Sequence, residues 1–287
     1  MRRSLVFGLV TVVALTAACT AELSPGATVS QASSVTKNAR SARVTYSATF
    51  DVAAAPEPGP ISMMGEGQFD YASGRGRMIF DLTEVLRPSG EVPEGVGEVE
   101  MIFDESVMYM KMPFLTRLLP DPKPWIKVDL EAAREGGASV GQLAQLGQSD
   151  PTHILELLRG ATRSVDTLGT ESVRGAETTH YRTVLDLVRA ARDASGAARP
   201  SVYGLMQRTG AREMPAHVWI DRKGRMRKMT YRVELASPAG TAPAPSGPDT
   251  MSVAMELYEF GIDVRVAPPP DADVIDLVEL TQQQDGP

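Results

Sequence analysis

The sequence predicts an α+β fold in which a curved antiparallel sheet carries a few short helices on one face. Three observations predict it. Apolar and polar residues alternate with period two on both sides of the chain's middle, helical periodicity is concentrated in that middle, and 43% apolar residues in a chain of 287 supply a core. The charged fraction, 23%, is that of an ordinary soluble protein, so intrinsic disorder is excluded as the main state.

The N-terminus has the layout of a signal peptide: Arg2 and Arg3 precede an apolar run from Leu5 to Leu15, then Thr16-Ala17-Ala18-Cys19. The run is about half of the roughly 20 residues a membrane-spanning helix needs. Small residues before a cysteine resemble the bacterial lipobox, whose thiol receives a diacylglyceryl group and becomes the first residue of the mature protein. Thr16 stands where that motif usually has Leu, and Leu15 lies one place further from the thiol. Cys19 is the single cysteine, which excludes an intrachain disulfide and a Cys-rich zinc site. The expectation is removal of residues 1–18 and lipidation of Cys19, anchoring the protein at the extracytoplasmic face of the cell membrane. One acyl chain binds a bilayer marginally, whereas two or three hold firmly. With the leader removed, 27 basic side chains face 36 acidic ones, a net charge of −9, so the anchor is lipid rather than attraction to anionic headgroups. The same balance, with no long basic run, argues against a nucleic-acid partner.

Residues 19–35 read as a lipidated N-terminus and flexible tether, small and polar from Thr20 to about Ser30, with a modest helix across Val29 to Arg40. Residues 36–281 read as a single domain and 282–287 as a fraying tail. In the first strand Val44, Tyr46, Ala48, Phe50 and Val52 share a face. Met78, Phe80 and Leu82 follow, then Val99, Met101 and Phe103, with hairpin signals at Tyr71 to Gly74 and Asp104 to Ser106. Later Met229, Tyr231, Val233 and Leu235 alternate, as do Met251, Val253, Met255 and Leu257. The Pro/Ala/Gly/Ser stretch Ala236 to Thr250 separates two runs of the same period, so it reads as a long hairpin loop rather than a domain linker, and Ala54 to Pro60 likewise. Helices are expected at Ser139 to Leu146, at Pro151 to Leu158 with Asp150 as cap and Gly160 as stop, and from Pro200 through Met206.

A search for catalytic chemistry finds little. His153, His180 and His217 are far apart in sequence without HxxxH or HExxH spacing, no GxSxG or P-loop is present, and the glycines from Gly65 to Gly76 read as turns and bulges. Glu98 and Glu100 share a strand face, as a solvated outer face requires. Arg222 to Lys228 is the one basic cluster and reads as a charged hairpin tip, with contact to anionic headgroups or a partner as the alternative. Neither a metal nor a cofactor is expected. Methionine is plentiful at 14 residues, many on strands where Val, Ile and Thr are usual, and its flexible thioether adapts to irregular apolar ligands or fills gaps in a core. The apolar stretch Pro113 to Pro120 must plug the core or line an opening.

Taken together, several segments resemble the LppX/LprG-type lipoproteins of actinobacteria, which share an unclosed half-barrel with the carrier LolA. The resemblance rests on the lipobox at Cys19, the proline-rich approach to Trp125 in Pro120 to Trp125, and the stretch Asp150 to Asp186. In that stretch a helix leads into a strand and then Gly169, Val173, Gly175, Thr179, His180 and Tyr181. Met214 to Asp221 is similar to the family's next strand. The resemblance implies a sheet wrapped around helices, with an apolar cavity that carries acyl chains of a lipid or glycolipid without catalysis. Candidate lining residues are Met78, Phe80, Met101, Phe103, Met110, Leu155 and Leu158. The alternative is a membrane-tethered sensor or interaction module with the cavity small or filled, acting on an envelope protein partner.

Overall fold

In a computed structural model of the protein, the described residues are 23–51, 60–87, 91–116, 123–130, 151–194, 198–235 and 249–276. Twelve strands form one sheet: β1 Ser41–Asp51, β2 Ile61–Asp70, β3 Arg75–Asp81, β4 Glu98–Asp104, β5 Val107–Lys111, β6 Trp125–Asp129, β7 Ala161–Val173, β8 Ala176–Asp186, β9 Glu213–Asp221, β10 Met226–Glu234, β11 Thr250–Tyr258 and β12 Val274–Asp276. Their order is β12-β6-β5-β4-β3-β2-β1-β11-β10-β9-β8-β7. Neighbours are antiparallel except β12 on β6, and the two end strands are not paired with each other, so the sheet is unclosed. β1 lies beside β11, which joins the strands before and after the helical middle into this one sheet. β10 and β11 pair as antiparallel neighbours on either side of the Pro/Ala-rich stretch, as a hairpin connection requires.

Among the described residues four helices accompany the sheet: α1 Pro25–Asn38, α2 Pro151–Leu157, α3 Leu187–Asp193 and α4 Ala198–Thr209. Single helical turns occur at Thr83–Leu86 and Pro113–Thr116, and α2 ends in a 3₁₀ turn, Leu158–Gly160. The start of α2 at Pro151 is as the Asp-Pro signal predicts. α4 extends the predicted span at both ends. The predicted helix at 139–146 lies outside the described residues.

Two findings depart from the sequence reading. α1 begins at Pro25, inside the segment read as tether. Ser24 caps it by accepting the Ala27 N–H at 3.3 Å, and Val29, Ala32, Ser33 and Thr36 are buried. The small side chains that look like linker composition are the ones that let this helix lie close to the body. Thr36 accepts the buried backbone N–H of Met226 at 2.9 Å, tying α1 to β10. The second departure is α3, which periodicity does not reveal. Asp186 ends β8 and caps the helix by accepting the Arg189 N–H at 2.9 Å, so strand passes into helix with no loop between them.

The core lies on the inner face of the sheet. One transverse row runs Leu257, Val44, Gly67, Met78, Met101, Met110 and Ile126, seven residues from seven adjacent strands. Its glycine permits a close approach: a Cβ on Gly67 would fall inside contact distance of the Arg77 carbonyl oxygen and 2.7 Å from the Met78 sulfur. One row along, the Phe80 ring occupies the space a Gly65 side chain would need. The helical layer contributes a charge to this interior. Glu156 of α2, whose side chain is 1% exposed, pairs with Lys37 of α1 and with Arg159, 2.8 Å away, so the cost of burying its carboxylate is offset by two cations.

Candidate functional site at the open end of the inner sheet face

The seven candidate lining residues fall into one hydrophobic cluster. Met78, Phe80, Met101, Phe103 and Met110 come from β3, β4 and β5, and Leu155 and Leu158 come from α2 and its 3₁₀ turn. Each is at most 4% exposed. Side chains packed this closely form the floor of the interior rather than a surface that solvent reaches.

The accessible part of the inner face lies toward one end of β1, β2, β10 and β11. There Tyr46, Met63, Tyr231 and Met251 are only half-buried although they pack against the core. The register places them in consecutive rows: Tyr46 beside Met255, Tyr231 beside Val253, Ala48 beside Met63, and Met251 beside Phe50. Met206 of α4 is half-buried against the same core. An inward-facing side chain that keeps solvent-accessible surface is less covered than the core, so these residues mark the part of this face where a ligand would have access. Phe114, from the apolar stretch expected to plug the core or line an opening, is likewise half-buried and packed against the core, while residues 117–120 lie outside the described residues.

The electrostatics of this end are distinctive. Burial pushes the Tyr46 phenol up to about 12, with the Arg208 guanidinium of α4 pulling in the opposite direction. Burial, then the neighbouring Tyr46, drives Tyr231 higher still, again opposed by Arg208. Both phenols are therefore neutral hydrogen-bond donors at any physiological pH. Sequence reasoning found Tyr46 and Tyr231 only as members of alternating runs and did not single out Arg208.

A second cluster lies among polar side chains near the β7–β8 hairpin. His180 Nδ1 is 2.7 Å from Glu171 Oε1, and His180 Nε2 is 2.8 Å from His217 Nδ1. Trp219 stacks on His180 at 4.1 Å and donates its Nε1–H to Glu171 Oε2 at 2.9 Å. The two histidines are far apart in sequence, and the β8–β9 register makes them neighbours. When His180 gives its Nδ1 proton to Glu171, its Nε2 accepts from His217, so protonating both rings would set N–H against N–H. Burial, then His180 and Arg182, lowers the His217 pKa, while Glu171 opposes the shift. The unfolded chain, with His near its ordinary value of about 6.5, then binds more protons than the folded one just below that pH. Stability is accordingly full above about pH 6.5 and declines as pH falls toward the depressed folded value. Urea midpoints between pH 7.5 and 5 should show this decline, and His217→Asn should flatten it; equal slopes for the two proteins would refute the assignment. Among the described residues no group of three or more His, Cys, Asp or Glu side chains is arranged to hold a metal ion.

Most of the basic cluster is engaged in ion pairs with neighbouring carboxylates. Arg225 and Arg227 both bind Asp221 Oδ2, at 2.8 and 2.9 Å, and Arg222 forks onto Glu177. Burial of Asp221 works to raise its pKa, but the hydrogen bonds from Arg225 and Arg227 outweigh it and the carboxyl is held below its usual range. A charged hairpin tip is what the structure contains. A shallow concavity of about 430 Å³ also occurs, its lining including Thr45, Met64, Glu66, Ile79, Arg174 and Glu256, and none of the seven candidate residues borders it. Cys19 lies outside the described residues. No helix among the described residues is long and apolar enough to cross a membrane.

No family model matches the chain. A Streptomyces griseus protein described as an uncharacterized 31.2 kDa protein in the rplA-rplJ intergenic region is 22% identical over 271 residues, covering 91% of this chain and 81% of its own. Among solved structures, the Mycobacterium tuberculosis lipoprotein LppX is similar with a TM-score of 0.47 and 15% identity, over 85% of this chain and 98% of that one. LprF from Mycobacterium bovis is similar with a TM-score of 0.43 and 12% identity, over 85% and 96%.

Proposed function

We propose that the protein is a noncatalytic, lipid-anchored envelope protein that takes acyl chains of a lipid or glycolipid into the space between the sheet and its helices. The observation that carries this reading is the group of half-buried Tyr46, Met63, Met206, Tyr231 and Met251 beside a fully buried cluster that includes Met78, Phe80 and Met101. Long-chain ligands need concave apolar surface with few polar fixes. An acyl chain would enter between these residues and reach Phe80 and Met101 by displacing packed methionines, whose unbranched thioethers repack at low cost. Cys19, acylated after removal of residues 1–18, would hold the body at the extracytoplasmic face of the cell membrane. That body, one domain to residue 281, would then begin near Pro25 rather than at residue 36.

The protein extracted from membranes should therefore bring lipid with it in near-stoichiometric amount, measured by mass spectrometry of an organic extract. Met63→Trp, placed where a larger side chain has room, should reduce that amount severalfold at unchanged melting temperature. Absence of lipid from the parent protein would refute carriage. The close packing of Met78, Met101 and Met110 favours a second reading in that event: a tethered interaction module with a filled interior.

A further inference from the structure

We propose that the outer face of the sheet carries a docking trough for a basic, extended segment of a partner protein. Glu66 and Asp81 pair with its Lys or Arg side chains, and Met64 and Ile79 hold the apolar residues between them. This surface is distinct from the inner face, and the proposal stands or falls independently of lipid binding.

Three rows of outward positions form the trough. Glu256, Thr45, Glu66 and Ile79 are cross-strand neighbours on β11, β1, β2 and β3. Ala254, Ser47, Met64 and Asp81 make the adjacent row, and the two rows together floor the concavity of about 430 Å³. A third row, Tyr258, Arg43, Gln68 and Arg77, lines a second hollow of about 350 Å³ that shares Glu66 and Ile79 with the first. The hollows adjoin along the strands over about 14 Å, the reach of about four residues of extended chain. Every strand of this floor is paired on both sides, so a partner would be recognised by side chains rather than by strand addition.

The tip of the β7–β8 hairpin builds one wall. Arg174 Nε donates to Glu256 Oε2 at 2.7 Å and Nη2 to Thr45 Oγ1 at 3.1 Å, while the guanidinium lies 4.1 Å from the centre of the Tyr258 ring. These three contacts fix the side chain of a residue whose φ of 46° is uncommon for arginine. Charge then selects the occupant. Arg43, Arg77 and Arg174 each already hold a carboxylate, Glu259, Glu100 and Glu256, at 2.6 to 2.7 Å. Glu66 and Asp81 are exposed and, among the described residues, belong to no ion pair. The charges left to meet a partner are therefore anionic, and Met64, 67% exposed beside both, offers an adaptable apolar contact. An anionic bilayer would be repelled by these carboxylates and, being flat, would not enter a hollow, whereas a basic extended peptide matches both charge and shape.

The test uses the full-length protein in nonionic detergent, with isotope-labelled methionine methyl groups and the Met64 NMR signal assigned by Met64→Leu. The probes are the peptide acetyl-Ala-Lys-Val-Lys-Ala-amide and its counterpart with Gln in place of Lys. The Lys peptide should shift the Met64 signal and bind roughly tenfold more tightly than the Gln peptide, as charged hydrogen bonds provide. Glu66→Gln combined with Asp81→Asn should bring that ratio close to one. Glu213→Gln, which removes an exposed carboxylate that borders neither hollow, should leave it unchanged. A ratio near one in the parent, a ratio that the double variant leaves intact, an equal loss in Glu213→Gln, or binding without a shift of the Met64 signal overturns the proposal. A Met64 signal moved by phosphatidylglycerol vesicles and not by the Lys peptide overturns it in favour of a bilayer contact.

Discussion

Gly67→Ala should lower the melting temperature by roughly 6–12 °C, the largest effect expected of any single added methyl group in the sheet. Overpacking a filled interior typically costs 1–3 kcal/mol, and a chain of this size loses about 2–4 °C for each kcal/mol. Gly67 belongs at the upper end because the obstacle is backbone: the new Cβ meets the Arg77 carbonyl oxygen and the Met78 Cα, 2.9 Å away, which cannot move without displacing β3. Gly65→Ala would instead press on the end of the Phe80 ring, a side chain that has some freedom to turn. Met64→Ala, 67% exposed on the opposite face, is the control and should leave the melting temperature within a degree or two. Equal melting of Gly67→Ala and the parent in a calorimeter would show that the row through Met78 is not packed as described.

Cys19→Ala should move the protein from the membrane fraction to the soluble fraction, or leave it uncleaved with residues 1–18 attached. The expected change is close to complete. Each buried methylene contributes about 0.8 kcal/mol, so losing a diacylglyceryl group removes far more binding energy than surface contacts of a net-acidic body could replace. Fractionation with a carbonate wash reads the location, and intact mass of the mature N-terminus reads the thioether-linked lipid. A variant that stays bound and is normally cleaved would refute the anchor.

Strands were legible where inner positions carry large apolar side chains, as in Met78–Phe80, Val99–Phe103 and Met229–Val233. β2 was harder to read because its inner positions include Gly65 and Gly67, whose side-chain space neighbouring strands fill. Alternation shows that residues share a face, not whether that face is packed shut or open. The seven residues expected to line a cavity all fall in the buried cluster, whereas Tyr46, Tyr231 and Met251 on the same face keep some accessible surface. Long-range register was not legible at all: nothing in the spacing of His180 and His217 announces a 2.8 Å contact. α1 was obscured by its own Ala, Ser and Thr content, which serves tethers and close-packed helices equally well. Gly175, noted only as part of the family-like pattern, turns out to close the β7–β8 hairpin with Arg174, both residues having positive φ, 46° and 75°, as a tight two-residue turn requires.

An open sheet has two free rims, and each is unsuited to recruiting another chain. At one end β12 offers three residues, too short a template for strand addition. At the other, β7 is long, but its pairing slips between Ala161 and Val165 and again between Thr167 and Gly169, where φ reaches 133°. Such irregularities twist an edge out of the plane that a second copy would need, and the charged side chains Asp166 and Glu171 are exposed along it. Proteins tethered to a bilayer are confined to two dimensions, where collisions between neighbours are frequent and similarly oriented. Tethered through Cys19 as proposed, this half-barrel would tolerate that crowding because its rims discourage fibril-like self-association.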